Sequence, residues 1–201
     1  MRYAAEHKDE TRTKVLRAAA TAMRVHGPDG VGVADIMRSV GLTHGGFYAH
    51  FRNKDDLVAQ AVTQMFFDAG GKWDRATANL PRAQALATFI DRYVSARHRD
   101  DVSRGCPLTS VAMDLSRQTG DARAAFDRGV AGLLTRLENW LPQDAADAKQ
   151  HAVSLLAEMV GAVALARAVS DPALSDTILT DARRSVRRHA GLPDTHVGDA
   201  A

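Results

Sequence analysis

Apolar residues recur every three or four positions along almost the whole chain, and Gly, Pro, Asp and Asn gather in the interruptions. That period belongs to helices with one buried face. Val15, Ala18, Ala19, Ala22 and Met23 mark a first helix behind a polar start, and "GPDG" at 27–30 stops it. A short helix over 33–40 turns Val33, Ile36, Met37 and Val40 inward and ends at Gly41, a natural left-handed residue after a helix. Thr43 is placed to cap a third helix that ends near His50. Asn53 caps a fourth over 53–79, with Asp56 three positions on as in a capping box. Leu57, Val58, Ala61, Val62, Met65 and Phe66 form its stripe.

"LPR" at 80–82 separates these helices from longer ones. The span 83–99 is amphipathic through Leu86, Phe89, Ile90, Tyr93 and Val94. "RDDVSRGCP" at 99–107 is a turn, Pro107 opens another helix, and Gly120 closes it. The span 121–141 carries Phe126, Val130, Leu133, Leu134, Leu137, Trp140 and Leu141, and Pro142 stops it. A long helix over 144–169 is lined with small residues, and Asp171-Pro172 starts a last one that runs to about Ala190. The tail from 194 is expected to be disordered. No alternating pattern is long enough for a sheet, so the fold class is all-α.

Composition narrows the field. With 201 residues and 45% apolar content the chain can bury a real core. No uninterrupted apolar stretch reaches the length of a membrane span, and the polar N-terminus lacks a signal-peptide core. A single cysteine excludes an internal disulfide framework and suits a reducing cytoplasm, the expected location. Charge is uneven. Residues 1–54 hold nine Lys/Arg against five Asp/Glu, whereas residues 55–201 hold seventeen against nineteen. Four of the eight histidines also lie in the first part. A local positive excess suits an anionic partner such as a phosphate backbone, and equally an ordinary solvated face.

The stretch "GLTHGGFYAHFRNKDDL" at 41–57 sharpens the choice. Three short helices over 15–50 with a tight turn at Gly41 are the makings of a helix-turn-helix, whose third helix enters the major groove of DNA. Gly45 and Gly46 leave no side chain between backbone and DNA at the start of that helix. Phe47 and Phe51, four apart, pack inward, while Tyr48 has a hydroxyl for a phosphate and Lys54 a charge at the next helix N-terminus. Each residue alone equally suits capping or packing; the spacing joins them. His44 and His50 lack the i, i+4 placement of a helical metal pair, and no Cys/His cluster exists, so neither a metal nor a cofactor is expected.

At these residues "VADIMRSVGLTHGGFYAHFRNKDDL" resembles the DNA-binding segment of TetR-family transcriptional regulators, through Ile36, Gly41, Thr43, Tyr48, Phe51, Lys54 and Leu57. The resemblance implies a DNA-binding domain over 1–54 and a regulatory and dimerisation domain over 55–201. It implies DNA contacts at Gly32, Val33, Thr43, His44, Gly45, Tyr48, His50 and Lys54. It further implies a homodimer through the last two helices that releases a palindromic operator on double-stranded DNA when a small organic effector binds. Two-fold pairing sets the recognition helices about 34–36 Å apart, one turn of DNA. One departure stands out: family members often carry Ser or Thr where this chain has Gly32. Phe89, Tyr93, Met113, Phe126, Trp140 and Met159 are candidate pocket residues, and each also reads as plain core.

Gly161, Ala162, Ala164, Ala166 and Ala168 allow close helix approach in the dimer. An enzyme would need a nucleophile–base pair, a carboxylate dyad or a phosphate loop, and no such spacing is present, so no catalytic residue is expected. Two alternatives remain. One is a thiol sensor of electrophiles or oxidants at Cys106, which Pro107 places at a helix N-cap beside Arg104. The other is a helical protein-interaction module without an operator.

Overall fold

The computed structural model describes the backbone of residues 2–142 and 147–193 and the side chains from residue 8 onward. Every regular element described is helical. Helix α1 (Arg2–His26) begins far ahead of its apolar stripe. Ala, Glu, Lys and Arg are good helix formers, so the polar start continues the helix. Val15, Ala19 and Met23 are fully enclosed, with Leu16 and Ala20 beside them. Gly27, at φ +73°, ends it.

Helix α2 (Val33–Ser39) buries Ile36 and Met37. Gly41 takes the expected left-handed turn at φ +76°. Its N–H donates to Arg38 O at 3.0 Å and that of Leu42 to Met37 O at 2.9 Å, a Schellman closure. The third helical segment, His44–Ala49, is a 3-10 turn and not the α-helix expected. Two consecutive glycines and a length of six residues disfavour α-helix nucleation, and the tighter bond from Gly46 N to Thr43 O forms instead. Thr43 stands at its N-cap in extended backbone, without the side-chain cap bond expected of it. Helix α3 (Lys54–Thr77) starts on the predicted device. Asn53 Oδ1 accepts from Asp56 N at 2.8 Å, and Asp56 Oδ2 accepts from Arg52 N at 3.0 Å.

Two expected helices are broken. The span 83–99 divides into α4 (Arg82–Tyr93) and α5 (Ala96–Asp100), because Ser95 Oγ donates to Arg92 O and accepts from His98 N. The span 107–120 divides into α6 (Pro107–Ser110) and α7 (Ala112–Leu115). There the Thr109 and Ser110 hydroxyls both donate to Cys106 O, and Val111 leaves helical geometry at φ −126°, ψ 2°. A short 3-10 turn, Val102–Arg104, precedes them. Then follow α8 (Gly120–Trp140), α9 (Ala148–Ala168) and α10 (Pro172–His189). Asp171 caps α10 with Pro172 at its first position. The expected start of α9 at 144 and the tail from 194 lie outside the described residues.

The described chain forms two compact units, 1–69 with 102–130 and 70–101 with 131–201. In the first, Ile36, Met37, Phe47, Phe51, Leu57, Val62, Met65, Val111 and Leu115 share one core. Arg24, nearly enclosed there, donates to Gly105 O at 3.0 Å, Met65 O at 3.3 Å and Ala20 O at 3.3 Å. Each guanidinium nitrogen thus meets a carbonyl, which offsets burying the charge. In the second unit α9, whose most apolar 18-residue stretch has a mean hydropathy of 1.4, serves as a core helix. Leu155, Met159, Ala162, Val163 and Ala166 are buried, and α10 packs along it. Arg187 of α10 donates to Asp91 Oδ2 at 2.8 Å and to Pro193 O at 2.8 Å, tying α4 to the chain after α10.

Candidate nucleic-acid interface

The 3-10 turn presents one face inward and one outward. Phe47 and Phe51, both buried, stack with ring centroids 5.4 Å apart, so the i, i+4 pair anchors the turn to the core. Thr43, His44, Gly45 and Tyr48 face out, with Tyr48 67% exposed. An exposed tyrosine on an anchored turn is unusual for packing. Its ring meets Phe47 edge-on at 5.2 Å and His44 at 6.3 Å, which limits its directions while leaving it in solvent. Gly45 has nothing within 4 Å of where a Cβ would stand, and its φ is not positive. Nothing inside the protein requires glycine there. At Gly46 a Cβ would lie 3.7 Å from Met37 and Thr43, an ordinary contact.

Gly32 is the extended N-cap of α2 at φ −84°, ψ 140°, exposed and without a side-chain cap, and Val33 beside it is half-buried. Lys54 reaches back to Asp29 O at 3.5 Å, across the loop between α1 and α2. His50 follows the turn, with Nδ1 enclosed and meeting no partner among the described residues. Burial, and then the charges of Lys8 and Arg12, hold its imidazole below the usual histidine range. Asp56 is pushed up by burial, but the Arg52 N–H and the Gln60 and Arg52 side chains bring it below the ordinary carboxylate value. All eight expected contact residues therefore fall in the first unit, two at the N-terminus of α2, five on or flanking the 3-10 turn and one at the start of α3.

Of the expected pocket residues, Phe89, Tyr93 and Trp140 come together in the second unit. Phe89 and Tyr93 are fully enclosed and form a ring cluster with Trp73 and Trp140, at 4.6 Å for Trp73–Phe89 and 5.4 Å for Phe89–Trp140. Met159 is buried on α9. Met113 is 74% exposed, and Phe126 packs edge-on against Phe66 at 5.7 Å; both belong to the first unit. The second unit carries instead an open groove of about 400 Å³ between the end of α3 and α8. Asp74, Thr77, Thr135, Arg136, Asn139 and Trp140 line it, and only Trp140 was expected. Arg136 pairs with Asp74 and lies 5.9 Å over the Trp140 ring. Polar residues at i, i+3 and i, i+4 on these two helices were the available signal, but they read as solvated faces. Among the other polar residues of α9, His151 is exposed and Arg167 donates to His98 O and Arg99 O.

An outward-facing recognition turn on a small helical core, joined to a second helical unit, defines a helix-turn-helix transcriptional regulator. The family model described as bacterial regulatory proteins of the tetR family matches residues 15–61, and that of the tetracyclin repressor-like C-terminal domain matches residues 82–182. The chain belongs to the TetR family of DNA-binding transcriptional regulators, which are not enzymes. It is 26% identical over 171 residues to the HTH-type transcriptional regulator TtgR of Pseudomonas putida, covering 79% of this chain and 80% of that one. Among solved structures, the reduced form of NemR from E. coli superposes with a TM-score of 0.78 at 17% identity, covering 92% of this chain and 100% of that one. A TetR regulator from Chloroflexus aurantiacus gives 0.76 at 23%, covering 91% and 97%. These two similarities speak for the fold alone.

Proposed function

We propose that the protein is a homodimeric repressor that docks its recognition turn in the major groove of a palindromic operator and leaves it when a small organic effector binds. Residues 1–54 read DNA in this scheme, and 55–201 bind the effector and dimerise. Thr43, His44 and Gly45 approach the bases, while Tyr48, His50, Lys54 and the α2 N-terminus at Gly32 and Val33 meet phosphates. The observation that carries the reading is Gly45, a residue that the fold does not require, beside an exposed Tyr48 on an anchored turn. A close external partner explains both.

The groove beside Trp140 has a volume suited to a small organic molecule. Val153 and Leu165 of α9 and Leu174 of α10 are exposed apolar residues, which supports pairing through those helices. A cytoplasmic location follows from a DNA partner. Cys106 serves packing in this reading. A mobility-shift titration with the DNA upstream of the gene tests the scheme. Gly45→Ala and Tyr48→Ala should fold normally yet weaken binding, Tyr48→Ala on every duplex by about a hundredfold, the scale of two charge-assisted contacts per dimer. Unchanged affinity in both would reject the docking, and no shift at all would favour an interaction module.

A further inference from the structure

The polar half of α1 has no part in the scheme above, yet it brings Lys8 and Arg12 to the exit of the recognition turn. They lie one helical turn apart, where like charges repel. Arg12 does not swing into solvent. Its guanidinium donates to Gln60 and lies 5.7 Å over the Phe51 ring. Gln60 donates onward to Asp56 at 2.8 Å, and Asp56 accepts from Arg52 through both its backbone N–H and its guanidinium. One network thus holds Arg12 and Arg52 in place. Among the described residues Arg12 meets a neutral amide, not a carboxylate.

His50 lies within the field of this pair. With Nδ1 enclosed, a ligand can be met only by Nε2. Lys8 and Arg12 both oppose a proton on the ring. A potential that repels a proton attracts an anion. His50 directly follows the turn that carries Tyr48, so the anion this place suits is a phosphate of the same duplex.

We propose that Lys8 and Arg12 of α1, with His50, form a phosphate-binding site that extends the DNA contact onto the first helix. The inference rests on the DNA-binding reading and adds residues to it. Each phosphate neutralised by a side chain releases counterions and steepens the salt dependence of binding.

The test is fluorescence anisotropy with a labelled duplex from the upstream DNA, titrated across a salt series. Lys8→Gln alters an exposed residue and should keep the fold. In a dimer it removes two contacts, so it should lower the slope of log affinity per dimer against log salt by about 1.8, as should Arg12→Gln, with Lys8→Arg keeping the wild-type slope. Preference for the upstream duplex over an unrelated one should not change, since phosphates carry no sequence. Wild-type slopes in Lys8→Gln and Arg12→Gln, with circular dichroism unchanged, overturn the α1 site and leave the recognition turn standing. If the wild-type protein has no salt-dependent affinity for any duplex, the DNA reading falls and this site with it.

Discussion

A cysteine reports on electrophiles only if its thiolate can reach them, which makes exposure decisive at Cys106. The residue holds the N-cap position that Pro107 implies, but its side chain makes no cap bond and is only 5% exposed. Helix α6 behind it has four residues, too short to supply much dipole. Its carbonyl takes the Thr109 and Ser110 hydroxyls. We therefore expect alkylation of Cys106 in the native protein to be at least about tenfold slower than in the unfolded chain. Mass spectrometry after timed quenching measures this, and a native rate equal to the unfolded one would restore the sensor. Other residues at this scale were legible because their signals are local. Gly41, the Asn53–Asp56 cap and Asp171-Pro172 each act within a few positions of themselves, and each does in the structure what its chemistry implies.

Elements were legible where the apolar stripe ran unbroken and less so where a hydroxyl or glycine competed. Ser95, Thr109 and Ser110 look harmless in an apolar pattern, yet each hydroxyl bonds a backbone carbonyl at a break in the helix. The paired glycines of the recognition turn likewise set its 3-10 form, which periodicity does not distinguish from an α-turn. Helix α8 offers a direct comparison of two glycines one turn apart. At Gly129 a Cβ would stand 2.1 Å from the Phe66 ring, so the ring must move and its edge contact with Phe126 is disturbed. At Gly132 nothing lies within 4 Å. Gly132→Ala should stabilise the protein by about 0.5–1 kcal/mol through helix propensity. Gly129→Ala gains the same propensity but adds overpacking of about 1–3 kcal/mol, so its net effect should be destabilising. Thermal melts of the two variants should move in opposite directions by a few degrees; shifts of the same sign would refute this account of Gly129.

At the scale of the whole molecule, the pattern of helices and the recognition segment could be read from the chain, but which side chains meet across it could not. Arg24 on the Gly105 and Met65 carbonyls, Arg136 beside Asp74 and Arg187 on Asp91 join residues far apart in sequence, and no local rule pairs them. His98 is the most consequential of these for stability. Its Nδ1 lies 2.7 Å from Tyr93 O, its ring meets the Tyr93 edge at 4.7 Å, and its own carbonyl takes Arg167 of α9. Burial, despite the Tyr93 carbonyl and with help from the charges of Arg167 and Lys72, pushes its pKa down from 6.5 to about 4. The folded protein therefore keeps His98 neutral while the unfolded chain takes up a proton near the ordinary value. Stability is full above that value, falls as the pH drops through it, and levels off only once the folded imidazole also protonates. Between about pH 7.5 and pH 5 this one group should remove about 2 kcal/mol. The loss should be felt where α5, α9 and α10 meet, because Arg167 and Arg99 hold that junction through the His98 and Arg99 carbonyls and the Ser175 and Asp176 side chains. Urea unfolding of the wild type and of His98→Gln at both pH values isolates the contribution of His98. The variant should lose less stability on acidification by about that amount; equal losses in the two proteins would mean that His98 titrates alike in the folded and unfolded chains.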